Sequence, residues 1–182
     1  MKPGLTILCG PTCGGKTTLL KQMAQMGYEP IVSYTTRPRR RGEVDRVDYR
    51  FVSDGWFEKI VRFNKLIFVR EFVVADGSTY RYGVSKEELP STEFMSTLER
   101  KVLILDTEGV VEAVTDTRID LCPYVIMVDA PLDVILNRAK ARGDDLSETW
   151  DRYQRETSKF ESLIKRGFID LRIGSVQDLH VP

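Results

Sequence analysis

The chain has 182 residues, with 27 Lys plus Arg balanced by 27 Asp plus Glu. That length suits one domain whose core needs no disulfide or structural metal, and the balanced charge gives no reason to propose a nucleic-acid or membrane partner. Cys9, Cys13 and Cys122 lack metal-ligand spacing, no signal-like start is present, and no apolar run approaches the roughly 20 residues of a membrane span, so a cytoplasmic protein, monomer or homodimer, is expected.

Leu5 to Cys9 is an apolar run that predicts a strand entering a glycine-rich turn. Leu19, Leu20, Met23 and Ala24 then recur at helical spacing and predict a helix over Thr17 to Met26. From Ile31 to Phe51 the chain is rich in Tyr, Thr, Val and Arg with Pro and Gly breaks, which predicts short, partly exposed strands of a second, small sheet. An amphipathic helix is expected over Trp56 to Asn64, a strand over Phe68 to Val74, a tyrosine-rich strand or loop over Ser78 to Val84, and a return to the core at Lys86 to Glu88. Val102 to Leu105 and Tyr124 to Val128 read as parallel strands covered on both faces. Leu132 to Arg142 has helical spacing ended by Gly143, Ser147 to Lys165 is a second, charged helix, and Ile169 to Ile173 a last strand. Alternating strands and helices predict an α/β sheet of unread strand order. The lone His180 reads as a surface residue.

Gly10-Pro11-Thr12-Cys13-Gly14-Gly15-Lys16-Thr17 fits the phosphate-loop pattern G-x-x-x-x-G-K-[ST], with the strand before it and the helix after it that the pattern requires. Backbone N–H groups converge on phosphate oxygens only where no Cβ intrudes, and the helix adds its positive dipole end. The octet and Thr18 are therefore candidate ATP ligands, Gly15 the expected least replaceable glycine, Lys16 the residue that reaches the transferring phosphoryl group and Thr17 a Mg²⁺ ligand.

Ser33-Tyr34-Thr35-Thr36-Arg37-Pro38-Arg39-Arg40-Arg41-Gly42-Glu43, followed by Asp48-Tyr49-Arg50-Phe51, resembles the acceptor-binding stretch of the guanylate kinase family. The resemblance runs from Leu5 to about Arg152. It implies a three-layer α/β/α core with a parallel sheet (1–32, 88–137 and 156–182), an inserted β-rich acceptor subdomain (33–87) and a helical lid (138–155). Two arginines three apart, Arg37 and Arg40, can close on one phosphate as planar, permanently charged forks. By the family pattern Arg37, Arg40, Tyr49 and Tyr82 clamp the acceptor phosphate, while Arg39 and Arg41 are left as surface residues. Ser33 and Glu71 would read guanine, the carboxylate accepting from the base edge. Val84 stands where the family has a hydroxyl residue, and the span from Glu71 to Tyr82 is about two residues longer than the resemblance implies.

Asp106 matches the second acid of the family's Asp-x-Asp-x-Gln-Gly run, with Ile104 at the place of the first and Glu108 at the glutamine. It is expected to organise Mg²⁺-bound water or the acceptor nucleotide. Arg138, Arg142 and Arg152 resemble the lid arginines, which would meet charge on the phosphoryl group in flight. The implied activity is transfer from ATP, with Mg²⁺, to GMP or dGMP. Val84 and Ile104 motivate a monophosphate kinase of different or broader base specificity, and a non-catalytic phosphopeptide-binding domain of the same fold is a further alternative.

Overall fold

The structure is a computed structural model that describes residues 4–74, 76–90, 100–117 and 121–174; His180 lies outside them. It divides into two compact units, Met1–Pro30 with Thr92–Pro182, and Ile31–Ser91.

The first unit is built on a five-stranded sheet in the order β2-β7-β1-β8-β9. Its strands are β1 (Leu5–Cys9), β2 (Glu29–Pro30), β7 (Lys101–Ile104), β8 (Tyr124–Val128) and β9 (Leu171–Ile173), and every pairing is parallel. β1 is buried along its whole length, as a central strand covered on both faces must be. Helix α1 (Lys16–Gln25) turns Leu19 and Met23 onto the sheet, where they join Leu8, Val102, Ile126, Val128 and Ile173 in one core. The chain crosses from the β7 side of β1 to the β8 side, so the carboxyl end of β1 is a topological switch point, where open α/β sheets bind ligands.

Helix α3 (Thr107–Thr115) follows β7. Helix α4 (Leu132–Arg142) ends on Gly143 in the left-handed conformation, and α5 (Leu146–Lys165) starts at once, capped by the Asp145 side chain. No helix among the described residues is long and apolar enough to cross a membrane.

The second unit is a four-stranded sheet in the order β4-β3-β6-β5. It comprises β3 (Tyr34–Thr35), β4 (Arg50–Phe51), β5 (Leu66–Val73) and β6 (Thr79–Ser85), with helix α2 (Asp54–Arg62) and a short 3₁₀ turn at Lys86–Glu88. The fold is thus α/β, a parallel core sheet with an additional β unit and helical segments. Two details differ from the sequence reading. Helix α3 was not expected, and β2 pairs with β7 in the core sheet, ahead of the small one.

Candidate active site

The glycine-rich loop fills the turn from β1 to α1. Gly10 is its tightest point: with φ at +140° its backbone is one that L side chains rarely adopt, and a Cβ there would stand 2.3 Å from the Val128 carbonyl oxygen. Gly15 is the N-cap of α1 at φ +111°, and a Cβ on it would meet the flexible Arg138 guanidinium at 3.2 Å and the Val128 side chain at 3.9 Å. Gly10 therefore has the least room of the loop glycines, while Gly15, the expected least replaceable one, is held to glycine by its own positive φ. Between them Pro11 is buried, Cys13 takes φ +55°, and the Gly14 N–H closes a turn onto the Pro11 carbonyl. Thr17 and Thr18 are exposed on the first turn of α1.

Lys16 does not extend into solvent. Its Nζ donates to the carbonyls of Gly10 and Pro11, both at 2.7 Å, folding the side chain over the loop. Burial pulls the ammonium down from 10.5 to about 8; the Glu156 charge opposes this and Arg152 adds to it. The neighbouring Cys9 thiol is pushed up to about 12 by burial, so it is inert as a nucleophile.

The three arginines that the resemblance assigned to a lid converge on the same loop or its neighbours. Arg138 Nη1 donates to the carbonyls of Gly14 at 2.7 Å and Cys13 at 3.2 Å. The N–H and C=O of one trans peptide point opposite ways, so this grip turns the Gly15 N–H away from α4. Arg142 pairs with Asp144 at 2.7 Å, and Asp144 also accepts from the Cys13 thiol. Arg152 pairs with Glu156 at 2.7 Å, and the other Glu156 oxygen accepts the backbone N–H of Thr12 at 3.0 Å. An acid thus sits on a loop N–H of the kind that phosphates use. Sequence reasoning assigned Glu156 no role; its only trace there is the four-residue step from Arg152.

Asp106 lies at the end of β7 as the N-cap of α3, its Oδ1 accepting from the Gly109 N–H at 2.7 Å. The expected metal or acceptor role therefore has to share a carboxylate already used as a helix cap. Among the described residues no three His, Cys, Asp or Glu side chains gather as a metal cluster.

In the small unit, one face of the sheet carries the acceptor candidates. Arg37 is 7% exposed, with its guanidinium 2.7 Å from Glu43 and over the rings of Tyr49 and Phe51. Burial opposes its charge, but the bond to Glu43 and the nearby Tyr82 outweigh that and hold the guanidinium above its ordinary value. Burial likewise works against ionised Glu43, which Arg37 and the Arg40 N–H nevertheless hold below the usual carboxylate range. Tyr49 is raised by burial first and then by Tyr82, with which it makes an edge contact at 5.9 Å. Arg40 itself is exposed, as are Arg39 and Arg41, and Ser33 is half-buried just before β3.

Glu71 does not join this group. In the β5–β6 pairing Arg70 stands opposite Tyr82 and Glu71 opposite Arg81, and neighbouring residues point to opposite faces. Tyr82 meets Tyr49 and Phe72 on the Arg37 face. Arg81 reaches Glu58 and Asp54 of α2 on the other face, and Glu71 lies 3.5 Å from it there. The cause is a bulge. Between the Ile67–Val84 and Arg70–Tyr82 pairs β5 has two residues, Phe68 and Val69, where β6 has only Gly83. Phe68 takes φ +52° to make room. A one-residue slip exchanges the faces of everything beyond it. Val84 is buried beside this face, an apolar contact where a hydroxyl was the family pattern.

A family model for guanylate kinase matches residues 2–169 of the chain. The chain belongs to the guanylate kinase family. Among similar proteins, a guanylate kinase of Schizosaccharomyces pombe is 31% identical over 179 residues, covering 95% of this chain and 82% of the relative. One of Sus scrofa is 32% identical, with 94% and 84% covered. The crystal structure of guanylate kinase from Anaplasma phagocytophilum superposes with a TM-score of 0.66 at 20% identity, covering 97% of this chain and 80% of that one, and shows the shared fold. Membership makes the chain a nucleotide-binding phosphotransferase.

Proposed function

We propose that the chain transfers the terminal phosphoryl group of ATP to a nucleoside monophosphate, with GMP or dGMP as the first acceptors to test. The observation that carries this reading is the glycine cradle at the end of β1, holding Lys16 and braced by Arg138. Such a cradle suits the phosphates of a nucleoside triphosphate. The acceptor phosphate, whose second pKa is about 6, is already an anion at neutral pH, so no general base is needed. Arg37, Tyr49 and Tyr82 supply a cation and hydroxyl donors for it, with Arg40 joining from the exposed loop.

Lys16, Arg142 and Arg152 would neutralise the transferring group once their present partners are exchanged for phosphate oxygens. Thr17 supplies one hard oxygen for Mg²⁺, with Asp106 acting through a bound water. The ion would offset charge on the bridging oxygens, and such sites take only one or two protein ligands. Glu71 on the α2 side and the apolar Val84 favour a second reading, the same transfer with different or broader base choice.

The test is ADP release with ATP and each of GMP, dGMP, AMP, CMP, UMP and TMP. Guanine preference predicts GMP or dGMP at least about tenfold ahead in kcat/KM. Equal rates reject that preference. Turnover that survives Lys16→Ala rejects the phosphate-loop chemistry, whereas a protein inactive with every acceptor is a binding domain.

A further inference from the structure

The geometry points to Arg70 as the residue that selects the acceptor's base, through a base edge that carries two adjacent hydrogen-bond acceptors. This rests on the kinase reading above. Arg70 is the cross-strand partner of Tyr82 and so projects from the sheet face that carries Tyr82, Tyr49 and Arg37. Side chains directly opposite in an antiparallel pair begin about 5 Å apart, well within an arginine's reach. Phe72 lies on that face too, its ring 5.5 Å from Tyr82 and 40% exposed, a surface on which a base can stack. Buried Val84 offers no hydrogen bond. The charged group on this face of β5 is therefore a guanidinium, where the family resemblance implied a carboxylate.

The exchange reverses the chemistry of recognition. A carboxylate only accepts, and suits the N1–H and N2–H₂ donors of guanine. A guanidinium only donates, from a planar fork, and leaves those donors unmet. Its fork matches two acceptors side by side, as in O6 and N7 of guanine or O2 and N3 of cytosine. Adenine, uracil and thymine present no such pair.

The test is kcat/KM with ATP for GMP, IMP, 7-deaza-GMP, AMP, CMP and UMP, in the parent chain and in Arg70→Gln and Glu71→Gln. If guanine is the base, IMP, which lacks the N2 amine, stays within about threefold of GMP, and 7-deaza-GMP, which lacks N7, falls at least about tenfold. If cytosine is the base, CMP leads UMP by at least about tenfold. In either case Arg70→Gln flattens the difference to within about threefold and Glu71→Gln does not, with melting temperatures showing that both variants fold. A tenfold loss on IMP with 7-deaza-GMP unchanged overturns the assignment. So does preference for AMP or UMP, equal use of all bases, or discrimination lost in Glu71→Gln but kept in Arg70→Gln. No turnover with any monophosphate overturns the kinase reading instead, a result distinct from all of these.

Discussion

Replacing Glu156 with alanine should make the chain bind ATP more tightly. The Glu156 carboxylate holds the Thr12 N–H at 3.0 Å, so it competes for a donor that a triphosphate uses. A hydrogen bond to an ionised group contributes about 1.5–3 kcal/mol, and solvent at a side chain 24% exposed trims that to roughly 1–1.5 kcal/mol. At 1.4 kcal/mol per factor of ten, removal of the competitor lowers Kd about five- to tenfold. Titration calorimetry at pH 7 with a non-hydrolysable ATP analogue measures this, and Glu156→Gln, which keeps an acceptor without charge, should fall between. The same alanine variant should melt lower than its parent without nucleotide, and the gap should close at saturating analogue. Equal or weaker binding by Glu156→Ala would refute the competition.

Lys16, pulled down to about 8 by burial, loses its charge as pH rises through that value, so ATP affinity should fall above pH 8 by up to about tenfold per pH unit. A fluorescent-analogue titration from pH 7 to 9.5 checks this, and no slope means that the cation is not required. The stability sign is the opposite. Between about 8 and 10.5 the unfolded chain binds more protons, so this group stabilises the fold as pH rises. Glu43→Ala should cost about 2 kcal/mol by stripping Arg37 of its partner, roughly 4–8 °C in Tm. Because Glu43 is held below its ordinary 4.5, that gap is present above pH 4.5 and should shrink as acid titrates the carboxylate. Gly10→Ala, with a Cβ 2.3 Å from the Val128 oxygen, should lose about 3 kcal/mol or fail to fold. Gly55→Ala, in helix α2 with nothing within 4 Å, should gain up to about 1 kcal/mol, and thermal melts compare the two.

The core was legible where sequence pattern and geometry share one cause. The run from Leu5 to Cys9 is apolar because both faces of β1 are covered, and Gly143 marks the end of α4 because that position is left-handed. Helix α3 went unread although the place of Asp106 before Val110 and Ala113 fits a helix cap. The inward acids at the loop were equally hidden: Glu156 looks like any helix-surface residue until the fold brings it to Thr12. Glu71 was misplaced for a different reason. Strand patterns assume strict alternation, and a bulge leaves no plain mark in composition when its extra residues are Phe68 and Val69 instead of glycine.

That irregularity in β5 makes the pairing register of the strand a switch of chemistry. Arg70 and Glu71 are neighbours of opposite charge, and pairing carried on from Ile67–Val84 without the bulge would set Arg70 opposite Arg81 and Glu71 opposite Tyr80, on the face of Tyr82. A lineage could thus exchange a hydrogen-bond-donating reader for an accepting one without substituting either residue, by losing the bulge at unchanged strand length, whereas a deletion at Val69 would straighten the strand and leave Arg70 in place.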